Sequence, residues 1–237
     1  MEKHWLTDFD PDEKQYLDEG MTIIGFDEVN VFSSLQPIIV GAVKIVPPIK
    51  YPLIPVADCK VLTVKERKKV ALSLMERFPV YVDYCDFHIV DGGGNYRKHE
   101  LDVIKNMVDR ITKDNGNAVV FVDYYDIDGL SVPQFGIYGG DETHYSIAAA
   151  SIIARYVYDE FRRMFVELFG YKYSGGFSRQ AINEMRSRGL TIFHRRSWIN
   201  NSCKKRGWPI ITKENRDGEK ERYLLEYLSK VKQGIIT

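Results

Sequence analysis

The chain has 237 residues, with 33 Lys plus Arg against 33 Asp plus Glu, 44% hydrophobic and 13% aromatic residues, and a formal charge of zero. That supply of apolar residues, with charge spread through it, excludes a disordered chain, a collagen-like repeat and a coiled coil. No apolar run reaches the roughly 18 residues that cross a bilayer, the N-terminus lacks a signal-peptide pattern, and three scattered cysteines (Cys59, Cys85, Cys203) give neither a disulfide framework nor a cysteine zinc site.

Residues 1–20 are polar, and Pro11 opens a short helix. Met21–Phe26 is the first strand signal and runs directly into Asp27-Glu28. Pro37–Val46 is a second apolar strand, which makes an antiparallel hairpin with a wide loop. Lys65–Phe78 alternates charged and apolar residues at helical spacing, and Val80–Val90 then reads as a strand broken by the turn from Asp91 to Asn95. A helix over Tyr96–Thr112 carries Leu101, Ile104, Met107, Val108 and Ile111 on one stripe, and the turn from Asp114 to Asn117 ends it. Ala118–Val122 is a strand that delivers Asp123, and Gln134–Tyr138 is a short strand. Gly139–Asp141 forms a turn before a long helix over Glu142–Phe169. Beyond Gly170 the chain is basic and helical in pieces, over Arg179–Ser187 and Glu219–Lys232. Strands first as a hairpin and then interleaved with helices define an α/β fold on a mixed sheet.

Charge is distributed unevenly along this order. From Arg186 to the end there are 13 basic and 5 acidic residues, a balance of +8, so residues 1–185 carry −8. An acidic body with a basic tail suits a metal-dependent enzyme of nucleic acids, and a solvated pair of C-terminal helices explains the same tally.

The carboxylates are the sharpest local feature. Asp27-Glu28 follows an apolar strand, and a second apolar strand also ends in an acid, Asp123. Strand ends that neighbour each other in one sheet would bring these acids together, and clustered carboxylates repel unless a cation neutralises them. Oxygen-only ligands favour Mg²⁺ or Mn²⁺. Asp141 could join the cluster or cap the long helix, while Asp126 and Asp128 lack the other ligands of a calcium loop and read as a turn. Gly92-Gly93-Gly94 lacks the residues of a phosphate loop, and the five histidines show no ligand spacing.

Taken in order, several blocks resemble the type 2 ribonuclease H family, the ribonuclease HII and HIII group. They are Thr22 to Val29 with Pro37 to Val43, Asp58-Cys-Lys-Val-Leu-Thr63, Phe121-Val-Asp123, Gly140-Asp141 with Ser146 to Asp159, and His194-Arg-Arg-Ser-Trp198. The resemblance implies a ribonuclease H-like mixed sheet flanked by helices with a helical C-terminal extension. It divides the chain into an N-terminal polar extension (1–20), a catalytic domain (21–170) and a basic, mostly helical segment (171–237). It implies an endoribonuclease that hydrolyses the RNA strand of RNA–DNA hybrids with two Mg²⁺ or Mn²⁺ ions, leaving 5′-phosphate and 3′-hydroxyl ends. Asp27, Glu28, Asp123 and Asp141 are its catalytic and metal-binding acids, with Asp27 bridging the ions and Asp159 a secondary candidate. Lys60, Arg155, Arg195 and Arg196 are expected to position phosphates. The expected protein is a cytoplasmic monomer whose partner is the hybrid duplex, with no membrane and no small-molecule cofactor.

Two departures from the family pattern concern substrate reading. Asn30-Val31-Phe32 replaces a glycine-rich loop that approaches the 2′-hydroxyl, and of these residues Asn30 alone tolerates a left-handed backbone. Gly176 stands where the family carries a tyrosine that senses the RNA–DNA junction, leaving Phe177 or Tyr173 to stack in its place. A third departure is Thr143-His144 in place of Lys-Ser. The expected consequence is altered recognition of single embedded ribonucleotides. The competing readings are a repurposed, inactive nucleic-acid-binding relative and a structure-specific DNA nuclease on the same fold.

Overall fold

The computed structural model describes residues 3–92, 95–113, 116–124, 126–172 and 175–234. Gly93-Gly94, Asp114-Asn115 and Tyr173 lie outside those residues. The chain divides into two compact units, the first from residues 1–29, 39–83 and 101–157 and the second from residues 30–38, 84–100 and 158–237.

The first unit holds a five-stranded sheet of β1 (Thr22–Val29), β2 (Ile39–Ile45), β3 (Val80–Tyr84), β4 (Ala118–Asp123) and β5 (Gln134–Ile137), in the order β3-β2-β1-β4-β5. β1 and β2 pair antiparallel, as the wide hairpin predicts, whereas β1–β4 and β4–β5 are parallel. β1 and β4 are buried along nearly their whole length, which explains their unbroken apolar runs. Helix α1 (Pro11–Asp18) starts with a reciprocal cap between Asp10 and Glu13, and α2 (Val64–Arg77) repeats the device with Thr63 and Glu66.

Helix α3 (Phe87–Asp91) corrects one expectation. The segment Val80–Val90 is not a single strand, because the Asp86 carboxylate accepts from the N–H groups of His88 and Ile89 and starts a helix there. The stripe of α4 (Tyr96–Thr112) buries Ile104, Met107, Val108 and Ile111 as its spacing requires. A second correction concerns the long helix. Gly139 takes a left-handed φ of 67° and opens the one-turn α5 (Gly140–Thr143). His144 then has extended backbone, and α6 (Tyr145–Phe169) begins after it. Asp141 therefore does not cap α6.

Glu13 supplies that cap from the other end of the sequence. Its carboxylate accepts from the backbone N–H groups of Tyr145 at 3.0 Å and Ser146 at 2.8 Å, and it is fully buried. A helix N-terminus offers unpaired N–H donors and positive dipole charge, so this is where a buried carboxylate is least costly.

The first half of α6 packs closely on the sheet. A Cβ on Gly25 would collide with the Ser146 backbone, and one on Gly41 with Ala150 and Ala154. Gly41 is the β2 partner of Asp27 in register, and Gly25 lies two residues before Asp27, so strand alternation puts all three on the α6 face.

The second unit takes in the later part of α6 with α7 (Arg179–Arg188), α8 (Arg196–Lys205) and α9 (Gly218–Lys232). Its core is aromatic: Phe161, Phe165, Phe169, Tyr171 and Phe193 are buried, and the Phe161 and Phe193 rings meet edge-on at 5.5 Å. Sequence reasoning did not foresee α8. Its Asn and Ser content favours loop, but Ile199 and Cys203 are buried and override the local preference.

Candidate active site

Parallel pairing aligns the carboxyl ends of β1, β4 and β5. Phe26 is registered with Val122, so Asp27 and Asp123 are the next residues on adjacent strands. Asp123 is registered with Ile137 of β5, and the chain then turns at Gly139 into α5, which carries Asp141. The Gly140 N–H donates to Asp123 Oδ1 at 2.8 Å and fixes that turn. Three acids remote in sequence thus converge at the carboxyl edge of the sheet, where open α/β sheets bind their ligands.

The electrostatics bear this out. Asp27 is 5% exposed, and burial pushes its pKa well above the usual carboxylate value, with repulsion from Asp123 and Asp141 adding to it. The nearby Ser151 hydroxyl and the Glu28 N–H, which donates to Asp27 Oδ1 at 2.7 Å, pull the other way. Burial and the Asp141 charge also raise Asp123, against the hydrogen bond from Gly140. Asp58 was not singled out from the sequence as a site residue, yet it belongs here. Burial raises its pKa and Asp141 adds to the effect, while the Lys60 N–H donates to its Oδ1 at 2.8 Å. The signal was its place in the Asp58-Cys-Lys block. Burial also pushes the Cys59 thiol up to about 11, with Asp27 and Asp58 among the charges that raise it.

Lys60 Nζ donates to Asp141 Oδ2 at 2.9 Å from a side chain that is 70% exposed. It sets a cation on the edge of the cluster. Glu28 is half-buried and lies within β1 rather than beyond its end, because the strand continues to Val29. Arg155 is half-buried on α6 in the same unit and acts on the charge of Cys59.

The donor set fits hard divalent cations. It offers carboxylate oxygens and no imidazole, and its members raise one another's pKa. No three of these acids bring oxygens within 4.8 Å of one another among the described residues.

The remaining expected site residues lie in the second unit. Asn30 takes a φ of 75°, the left-handed conformation that its sequence permits, and its Nδ2 donates to the carbonyls of Leu35 and Pro37 at 2.6 Å each. Phe32 is exposed. Arg195 is not available to a phosphate, contrary to expectation. It is fully buried, its guanidinium donates to the carbonyls of Asn30 (2.7 Å) and Val31, and it stacks on Trp198 at 4.7 Å. Burial lowers its pKa to about 10. Arg195 is thus an internal brace for the loop that replaces the glycine-rich one. Arg196 is half-buried and pairs with Glu214 at 2.8 Å. Phe177 lines a shallow pocket with Trp198, Lys205 and Arg206, and the Arg206 guanidinium donates to its carbonyl. Asp159 is buried on α6.

The model of the family described as Ribonuclease HII matches residues 24–201. A ribonuclease HII of Lactobacillus gasseri is 27% identical over 191 residues, covering 78% of this chain and 74% of that one. Among solved structures, the ribonuclease H2 of Pyrococcus horikoshii aligns with a TM-score of 0.56 at 20% identity, over 89% of this chain and 100% of that one. Bst-RNase HIII, solved in complex with Mn²⁺, aligns at 0.56 and 18% identity, over 89% of this chain and 71% of that one.

Proposed function

The chain belongs to the ribonuclease HII family, and from that premise we propose that Asp27, Glu28, Asp123 and Asp141 hold two divalent ions, Mg²⁺ or Mn²⁺, at the carboxyl edge of its sheet. The protein is a ribonuclease H, an endoribonuclease acting on RNA–DNA hybrids. The observation that carries the site assignment is the buried Asp27, whose charge Asp123 and Asp141 oppose.

Divalent ions bound there supply Lewis-acid stabilisation of the phosphate and lower the pKa of a water. The chain's own part is positioning. The sheet fixes Asp27 beside Asp123, the Gly140 N–H orients Asp123, and Lys60 holds positive charge against Asp141 from an exposed side chain. On this reading the products carry 5′-phosphate and 3′-hydroxyl ends, and the enzyme works as a cytoplasmic monomer. Phosphate positioning falls to Lys60, Arg155 and Arg196.

The loop Asn30-Val31-Phe32 supports a further element of the reading. Its backbone is committed to Arg195, and it lacks the glycines through which the family approaches a 2′-hydroxyl. Full hybrids are therefore the preferred substrate over a duplex holding one ribonucleotide.

The test compares cleavage of an RNA–DNA hybrid, double-stranded RNA, branched DNA and a duplex with one embedded ribonucleotide, with Mg²⁺, Mn²⁺ or EDTA. Hybrid cleavage that needs the ion is expected. Equal cutting of the single-ribonucleotide duplex, at its junction, would sink the discrimination argument, and ion-dependent cutting of branched DNA alone would sink the substrate assignment.

A further inference from the structure

We propose that Asp10, Asp12 and His144 form a second metal site, for a divalent transition ion of the Zn²⁺ class, which ties the start of α1 to the junction between α5 and α6. Among the described residues these three bring one ligand atom each within 4.8 Å of one another. Asp10 caps α1 and Asp12 lies in its first turn, roles that account for both acids without any ion. They do not account for the histidine turned towards them.

His144 is 6% exposed, and its Nε2 has no hydrogen-bond partner. That nitrogen lies 3.6 Å from Asp10 Oδ1, too far for a hydrogen bond. Two ligands each about 2.0–2.1 Å from one tetrahedral ion lie roughly 3.3 Å apart, so the spacing is close to that of a shared ion. The other ring nitrogen anchors the ring. Nδ1 lies 2.9 Å from Thr143 Oγ1, and that hydroxyl donates in turn to the Gly139 carbonyl at 3.5 Å. Thr143 Oγ1 thereby anchors the ring with Nε2 turned towards the Asp10 carboxylate. One imidazole nitrogen and two carboxylates converging on a point make a ligand set for a cation.

The imidazole is also held in place by the Phe121 ring, whose centroid lies 5.7 Å away, and by its backbone N–H, which donates to the Gly140 carbonyl at 2.8 Å. A preorganised first ligand with an exposed Asp12 at the mouth gives an ion both a seat and an entry path. One imidazole with two carboxylates suits Zn²⁺, whereas Mg²⁺ and Ca²⁺ prefer all-oxygen sets such as the carboxylate cluster at the sheet edge. His144 follows Asp141 by three residues and closes α5, so an ion here fastens the helical turn that carries Asp141.

Calorimetric titration of the full chain with Zn²⁺, in excess Mg²⁺ to occupy the oxygen cluster, tests this. One Zn²⁺ per chain is expected, weakened about tenfold or more by Asp12→Asn and by His144→Gln, and retained by Asp27→Asn. At about 100-fold excess of Zn²⁺ over its Kd, the wild-type melting temperature should rise by roughly 5–10 °C and that of Asp12→Asn much less. Asp12 is exposed, so its variant reports on the site even where His144→Gln does not fold. Absence of Zn²⁺ binding, binding untouched by Asp12→Asn, or binding abolished by Asp27→Asn would each overturn the proposal.

Discussion

The first unit holds perturbed carboxylates: the buried Glu13 and Asp27 and the half-buried Asp123 are all raised by desolvation, and the last two also by like charges. The second unit buries perturbed bases: burial lowers His194 to about 3 and Arg195 to about 10. The bases are held in structural roles, with His194 Nδ1 accepting from the Thr191 N–H at 3.0 Å and Arg195 bracing two carbonyls. The acids at the sheet edge are concentrated beyond what the fold needs. Surplus like charge marks the place where an outside cation is expected, whereas a charge spent on backbone carbonyls marks architecture.

The largest way to break this comparison is Asp27→Asn. Loss of cleavage by about 10³-fold or more is expected on every substrate, because the change removes a ligand of the ions that stabilise the transition state. Without divalent ions the same variant should melt above wild type, since it deletes a buried, repelled charge. A wild-type cleavage rate for Asp27→Asn would end the claim that the surplus charge is functional.

The pH dependence of stability should separate the units by sign. An acid with a raised folded pKa stabilises below its unfolded value, near 3.8 for Asp27 and Asp123 and 4.5 for Glu13, and this is lost as pH rises through the folded value. In EDTA, acidification from neutral pH should therefore first relieve strain in the first unit, and added Mn²⁺ should flatten that gain. His194 has the opposite sign. Its contribution is present above 6.5 and is lost as pH falls from 6.5 to about 3, by on the order of 4 kcal/mol. Denaturant titrations across this range, on wild type and His194→Gln, check both signs.

Arg195→Ala comes next. It strands the Asn30 and Val31 carbonyls and should cost about 3 kcal/mol in urea unfolding, with hybrid cleavage per folded molecule reduced far less than by Asp27→Asn. Equal loss of cleavage in the two variants would erase the distinction between architecture and chemistry. Glu13→Gln is the mildest change, since the amide keeps one oxygen acceptor but loses the charge at the α6 N-terminus, and about 1–2 kcal/mol is expected.

Much of the metal-facing edge was legible in the sequence because it is written in strand ends. Apolar runs terminating in Asp27 and Asp123 predict neighbouring strands, and the sheet pairs them. What could not be read was the packing beneath them. The close approach of α6 to the sheet needs Gly25 and Gly41, whose requirement appears only when strand and helix are stacked. The resemblance implied a phosphate contact for Arg195, and burial against distant carbonyls leaves no local trace in the sequence. The break at His144 was hidden because Asp141 through Phe169 is helix-forming on both sides of it.

The carboxylate of Glu13 joins residues 132 and 133 positions apart. During vectorial synthesis its amide partners emerge roughly 7–27 s after α1 itself, at about 5–20 residues per second. Until then α1 is an eight-residue helix, shorter than isolated helices that persist in water, whose key acid has no partner across the chain. The first unit therefore closes only once the start of α6 has emerged, and removing residues 1–20 as a dispensable tail would uncap the helix that packs on the sheet.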